Sequence, residues 1–311
     1  MKFFIDHHGC AKNQVDGEEL AARLEAAGHS YVPSGDEADC IIINTCGFIE
    51  SAKKESIDAA LAIKHFWPDK KVLIAGCGSI GKRHAQVLRE LGITRLAVCD
   101  PSDVSREAMR ALVPDMRLYT DYAEALAVEI PDAVFILTPT RLHLPMATQA
   151  LEAGCHVLIE KPLASTPEGA AQLQALASAK GRQVMVAFCF RYHAALLRAK
   201  AMVEGGRIGR LVSIRALMGE PFYDIHPDYM NLYYSRYSGT FELVHDLDLA
   251  IWFAGQPVVQ VCGVYGSFSD MGMQSPDTVE MLLRFQDRCV ANVHLDFFQS
   301  PRRRQIDLIG T

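Results

Sequence analysis

Short apolar runs alternate along this chain with longer segments in which apolar residues recur every three or four positions. FFI (3–5) precedes EELAARLEAAG, CIIIN (40–44) precedes ESIDAALAIKHF, and VLIAG (72–76) precedes GKRHAQVLRELG. The runs have strand length and are apolar throughout, as expected of strands covered on both faces, while the periodic segments carry the single apolar stripe of helices that lie on a sheet. The alternation continues through RLAVCD (95–100), AVFILT (133–138), HVLIE (156–160) and QVMVAF (183–188), and predicts a doubly wound parallel sheet. Beyond about residue 205 the texture changes. LVSIRALMGE, VVQVCGVYGSFS, TVEMLLRF, CVANVHLDFF and RQIDLIG follow one another across short turns such as Asp287-Arg288, which predicts a large, mostly antiparallel sheet. The fold class is α/β with a C-terminal α+β domain and an N-terminal α/β appendage, divided at 1–70, 71–190 and 191–311. The closing QIDLIGT ends on a strand with no capping helix or polar tail, so the last sheet is expected to be incomplete.

Composition narrows the function. Half of the 311 residues are apolar, enough for a large core, and the net charge of -6 argues against broad binding to nucleic acid or an anionic membrane. The one basic cluster, PRRRQ at 301–305, reads as a solvated strand end. No apolar run approaches the roughly 20 residues of a membrane span, and the N-terminus lacks a secretory pattern, so a cytoplasmic location is expected. Nine cysteines, an odd number and scattered, do not make a disulfide framework; each is a core thiol or a ligand.

Gly76, Gly78 and Gly81 spell G-x-G-x-x-G directly after a strand and at the start of a helix, and Asp100 closes the next strand 19 residues further on. In that setting Gly76 permits a tight turn, Gly78 lets a pyrophosphate approach the backbone, and Gly81 lets the helix pack close to the strand. Ser79 and Ile80 open the helix whose N-terminus would face the phosphates. Asp100 would accept the adenosine ribose hydroxyls and repel a phosphate there, favouring NAD over NADP. A flexible turn followed by a solvent-facing aspartate is the plainer alternative.

From AVFILTPTRLHLP through HVLIEKPLA to GTFELVHDLDLAIWFAG the chain resembles the Gfo/Idh/MocA family, the relatives of glucose-fructose oxidoreductase and inositol dehydrogenase, over about residues 71–311. The resemblance implies a nicotinamide-dependent oxidoreductase acting on a sugar, inositol or related polyol hydroxyl. Glu160-Lys161-Pro162 matches the family's most specific motif, in which the lysine positions substrate and takes part in proton transfer; Thr138, Pro139 and His143 support it on the cofactor side. His245 matches an acid/base or substrate-ligating histidine, and Glu242 stands where an aspartate is usual. On a helix, Glu242, His245 and Asp248 would share one face. They would also do so if they only capped and solvated a helix start, just as Lys161 would fit a surface lysine with a buried stem. Further substrate contacts are expected from Arg191, Tyr192 and His193 and from the aromatic segment Tyr229 to Tyr234, Tyr233 in particular, although packing would equally account for the aromatic ones. The family's usual association through the open face of its large sheet implies a homo-oligomer.

Residues 1–77 resemble something else. HHGCAKNQVDGEEL, ADCIIINTCGFIESAKKES and KKVLIAGC look like the N-terminal domain of the methylthiotransferases, where three cysteines at strand ends hold a 4Fe-4S cluster. The matching positions are Cys10, Cys46 and Cys77, with His7 and His8 as bystanders. No C-x-x-x-C-x-x-C triplet for a radical cluster occurs, so methylthiolation by this chain alone is not expected. The two resemblances share the strand at 72–75. A strand has two edges; the later sheet, which brings more strands and a larger core, is expected to take both, so CIIIN must pair elsewhere and residues 1–70 become an appendage. The alternative function is then an iron-sulfur module joined to an inactive dehydrogenase scaffold, in a natural fusion or a chimera.

Overall fold

The computed structural model describes residues 2–8, 24–25, 28–32, 40–45, 70–232 and 234–311. The chain divides into two compact units, Met1–Ala59 and Ala60–Thr311. The first contains a three-stranded parallel sheet in which β1 (Lys2–His8) lies between β2 (Ser30–Tyr31) and β3 (Cys40–Thr45). The helical segments expected at 18–28 and 55–66 lie largely outside the described residues, as do Cys10 and Cys46.

The second unit contains two sheets. The first is parallel throughout, in the order β6-β5-β4-β7-β8-β9, with β4 (Val72–Ala75), β5 (Leu96–Cys99), β6 (Arg117–Tyr119), β7 (Ala133–Ile136), β8 (His156–Ile159) and β9 (Val184–Val186). Both edges of β4 are occupied: Val72 to Ala75 pair residue by residue with Leu96 to Cys99 on one side and Ala133 to Ile136 on the other. The competition for this strand is thus decided in favour of the doubly wound sheet, and Cys40–Thr45 ladders along Lys2–His8 instead. The physical reason lies in the core. Leu73 packs toward one helical layer with Val134, Ile136 and Leu151, while Ile74 packs toward the other with Ala85, Leu88 and Val98. Leu73 and Ile74 are fully buried, and each such side chain contributes about 1.5–3 kcal/mol relative to exposure.

The second sheet runs β11-β12-β13-β10-β14, with β10 (Leu211–Gly219), β11 (Val258–Gly266), β12 (Thr278–Phe285), β13 (Val290–Asp296) and β14 (Arg303–Gly310). It is mixed: β10 pairs with β13 in parallel, and the other pairs are antiparallel. Ile214, Ala216, Met218, Val279, Leu283 and Val293 face a core closed by the helix His245–Ala254 through Leu249, Ala250 and Phe253. Two short strands, β2 and β6, fall on segments with no sustained apolar run, where the sequence gives little strand signal.

Candidate active site

The glycine loop leaves β4 with the Gly76 amide donating to the Cys99 carbonyl at 2.8 Å. Gly76 has φ +108°, and a Cβ there would lie 2.5 Å from the Leu137 carbonyl oxygen, so the turn requires glycine. A Cβ on Gly81 would collide with the Gly76 carbonyl, whereas one on Gly78 would meet nothing within 4 Å. Gly78, Ser79 and Ile80 are exposed, and the helix Ser79–Glu90 begins without a side-chain cap. Its first amides therefore face outward over an uncluttered glycine, a cradle suited to phosphate. Asp100 braces the loop from the next strand: one carboxylate oxygen accepts from the Cys77 amide at 2.7 Å and the other from the Ser102 amide at 2.8 Å. Each oxygen retains a second lone pair for a ribose hydroxyl.

Cys77 itself turns inward. It belongs to the core cluster of Ile74, Ala85 and Val98 and is 1% exposed. Burial, then the neighbouring Asp100 and Cys99, push its thiol up to about 12. A cluster ligand must be a thiolate, so this placement suits a core thiol.

His143, expected beside the cofactor, is a buried clamp. One ring nitrogen lies 2.8 Å from the Thr138 carbonyl and the other 2.8 Å from the Pro162 carbonyl. It thereby ties the loop after β7, which carries Thr138 and Pro139, to the loop after β8; at 1% exposure it has no surface to offer a ligand. The clamp holds Glu160-Lys161-Pro162 in place. A Glu160 carboxylate oxygen accepts from the Lys161 amide at 2.7 Å, and burial raises its carboxyl above the usual range despite the nearby Lys161.

Lys161 reaches into the C-terminal domain, where its ammonium donates to the Glu242 carboxylate at 3.2 Å and to the Glu242 carbonyl at 3.1 Å. Glu242 does not share a helix with His245 and Asp248 as expected. It sits in a tighter 3-10 turn, Gly239–Leu243, and the α-helix starts at His245. The turn is pinned because Gly239 (φ +55°) passes close to Pro276, to whose carbonyl the Thr240 amide donates at 2.9 Å.

The His245 imidazole stacks on Phe190 with ring centroids 4.7 Å apart and meets Phe188 edge-on at 6.1 Å. Burial, then Lys161 and Arg304, lower its pKa to about 3, so the ring is neutral at ordinary pH. Arg191 and Asp248, both expected to touch substrate, are joined instead by a two-pronged ion pair of 2.8 and 2.6 Å. Their fork geometry uses the Asp248 oxygens and makes them a brace between the chain after β9 and the helix. His193 caps the helix Ala194–Glu204, its Nδ1 accepting from the Ala195 amide at 3.2 Å. Tyr192 is exposed, its hydroxyl 3.9 Å from the Met185 sulfur. Tyr233 lies outside the described residues.

Its neighbour Tyr234 belongs to the same aromatic segment. Its phenol is held above its ordinary pKa by burial, and Lys161, Glu242, Glu160 and Glu220 all act on it electrostatically. Missed by the sequence were two arginines of the PRRRQ cluster. Arg302 pairs with buried Glu220 at 2.8 Å, and Arg304 with buried Asp246 at 3.2 Å. Their partners are remote in sequence, which is why a local reading took the cluster for a solvated strand end.

Comparison with known proteins adds three family matches. The profile described as an oxidoreductase family with an NAD-binding Rossmann fold covers residues 70–188, and the GFO/IDH/MocA C-terminal domain covers residues 196–311. The uncharacterised family UPF0004 covers residues 2–97 and overlaps the first. The inositol 2-dehydrogenase of Corynebacterium glutamicum is 28% identical over 219 residues, 68% of this chain and 63% of its own length. The ribosomal protein uS12 methylthiotransferase RimO of Treponema denticola is 49% identical over 85 residues, 27% of this chain and 18% of its own length. Among solved structures, scyllo-inositol dehydrogenase of Lactobacillus casei with NAD(H) and scyllo-inositol superposes with a TM-score of 0.71 at 22% identity, covering 78% of this chain and 74% of that one. Myo-inositol 2-dehydrogenase of Lactobacillus plantarum gives 0.69 at 23%, with 78% and 74% covered. Likeness at that identity establishes the shared fold.

Proposed function

Because residues 70–311 belong to the Gfo/Idh/MocA oxidoreductase family, we propose that the chain is an NAD-dependent dehydrogenase acting on a hydroxyl group of a neutral sugar, inositol or related polyol. The observation that carries this reading is the contact of Lys161 with Glu242, which joins the motif at the mouth of the dinucleotide sheet to the turn preceding His245. NAD fits the residues present: Gly78 leaves open backbone for the phosphates and Asp100 stands ready for the ribose. When bound, NAD supplies a hydride acceptor.

Lys161, as its free amine, then accepts the proton of the substrate hydroxyl, and Glu242 holds the ammonium that results. Neutral His245 accepts a hydrogen bond from a second hydroxyl, and Tyr234 donates one. Arg191 and Asp248 take no part beyond bracing the helix. The cations Lys161, Arg191, Arg302 and Arg304 each face a carboxylate, so the site is near charge balance and suits a neutral polyol. The names of the relatives favour an inositol within that class.

We place the protein in the cytoplasm on its composition; among the described residues no helix is long and apolar enough to cross a membrane. The outward face of the second sheet, with Leu282 57% and Val290 49% exposed, supports a homo-oligomer. A second reading, an iron-sulfur module, draws on the UPF0004 match over residues 2–97, and the burial of Cys77 counts against it. The test is a polyol panel with NAD for the protein and its Lys161→Ala variant. Turnover lost in the variant supports the proposal, and equal rates remove Lys161 from the mechanism.

A further inference from the structure

A histidine that handles protons normally has its orientation and tautomer fixed by a hydrogen bond on the nitrogen facing away from the substrate. His245 lacks that bond: Nδ1 is buried and has no hydrogen-bonding partner among the described residues. Something else must hold the ring. On one face lies Phe190, stacked at 4.7 Å and nearly parallel at 28°. The Arg304 guanidinium lies over the Phe190 ring, 4.7 Å from its centroid. Arg304 is in turn tethered by Asp246, the residue next to His245, at 3.2 Å. The contacts close on themselves, from imidazole to phenyl to guanidinium to carboxylate and back along the backbone. They join three separate elements: the 3-10 turn Cys189–Tyr192, the strand β14 and the start of the helix His245–Ala254.

We propose that Phe190 and Arg304 are positioning residues of the active site, a cation-phenyl stack that orients the His245 imidazole in place of the missing hydrogen bond. The inference rests on the function proposed above only for what His245 does, and on the geometry alone for how it is held. The charged groups around His245 fit this role. Lys161 comes from the loop after β8 and is paired with Glu242 on the preceding turn; Arg304 comes from β14 and is paired with Asp246. Arg191 lies over Phe188, 5.8 Å from its centroid, and is paired with Asp248. Burial foremost, and then the two cations Lys161 and Arg304, disfavour a positive charge on the ring, which keeps the imidazole neutral and able to accept a proton or hydrogen bond. Stacking across Phe190 excludes the water that would otherwise solvate an imidazolium.

The test is a pH titration of the histidine ring nitrogens by NMR on ¹⁵N-histidine-labelled full-length protein between pH 8 and pH 4, comparing wild type with Phe190→Leu and Arg304→Met. The wild-type His245 signal should remain that of a neutral ring throughout. In either variant an imidazolium signal should appear on acidification with a midpoint at or above pH 4, at least about a tenfold gain in proton affinity, while the His294 signal stays in place. Phe190→Leu leaves the Arg304-Asp246 pair intact and decides the matter should Arg304→Met, which strands a buried carboxylate, fail to fold. With a turned-over polyol, kcat should fall about tenfold or more in Phe190→Leu with KM little changed. A His245 ring that stays neutral down to pH 4 in Phe190→Leu overturns the inference. NADH binding by the wild type is read separately by fluorescence: its absence, with the His245 shifts as stated, would sink the proposed function and leave the stack standing.

Discussion

The Lys161 ammonium and the Glu242 carboxylate lie 3.2 Å apart although 81 residues separate them in the chain. Lysine 161 is 20% and Glu242 9% exposed at the side chain, so the pair sits in a partly dry cleft. Its two charges are worth more together there than on an open surface. Replacing Lys161 with methionine should lower kcat by about 10²–10⁴-fold and leave NADH affinity within a few-fold, as measured by steady-state kinetics and fluorescence titration. Glu242→Gln, which keeps a hydrogen-bond acceptor for Lys161, should be milder than Glu242→Ala.

Two glycines of one motif should respond differently. Gly81→Ala drives a methyl group into the Gly76 carbonyl and should prevent or severely weaken folding, seen as loss of the cooperative thermal transition. Gly78→Ala meets nothing within 4 Å in the protein alone, so its thermal transition should be near that of the wild type while NADH binding drops at least tenfold.

Arg191→Ala should act on stability. It removes both hydrogen bonds to Asp248, which is 7% exposed on its side chain. The cost should be about 2–3 kcal/mol in denaturant unfolding, with the ranking of polyol substrates unchanged. A changed ranking would return Arg191 to the substrate site.

How legible this was varies with the range of the interaction. Apolar runs located β4, β5, β7 and β8, because burial writes itself into consecutive residues; the run at β9 located an edge strand whose Met185 is exposed. The edge count of a single strand then meant that only one architecture could own β4, and the larger number of later strands pointed to the doubly wound sheet. The Arg191-Asp248, Arg302-Glu220 and Arg304-Asp246 pairs were not legible, since each joins residues brought together only by tertiary structure. His143 illustrates the same limit from the other side. It stands at a position suggestive of ligand contact, yet the carbonyls that bury it come from loops after two different strands. Glu242 was misplaced by one helical turn because three-residue spacing fits both a 3-10 turn and an α-helix.

His294 should mark the protein's pH dependence. It lies between Glu280 at 2.6 Å and Asp296 at 2.8 Å, and these carboxylates, Asp296 foremost, raise its pKa to about 9. A folded-state value above the unfolded 6.5 means that its stabilising contribution is complete below pH 6.5 and is lost as pH rises through about 9. Chemical denaturation should therefore show stability falling across that window, and His294→Asn should flatten the slope. An unchanged slope in the variant would exclude His294 as its source.

The most direct test of the account is an anaerobic purification followed by titration of the protein with NADH, read by nicotinamide fluorescence together with the visible spectrum. Ownership of β4 by the doubly wound sheet predicts saturable NADH binding, tighter than NADPH and weakened at least tenfold by Asp100→Ala, in a protein whose Cys77 resists alkylation until it unfolds. Brown, iron-loaded protein with no NADH binding, losing its colour in Cys77→Ala, would contradict it.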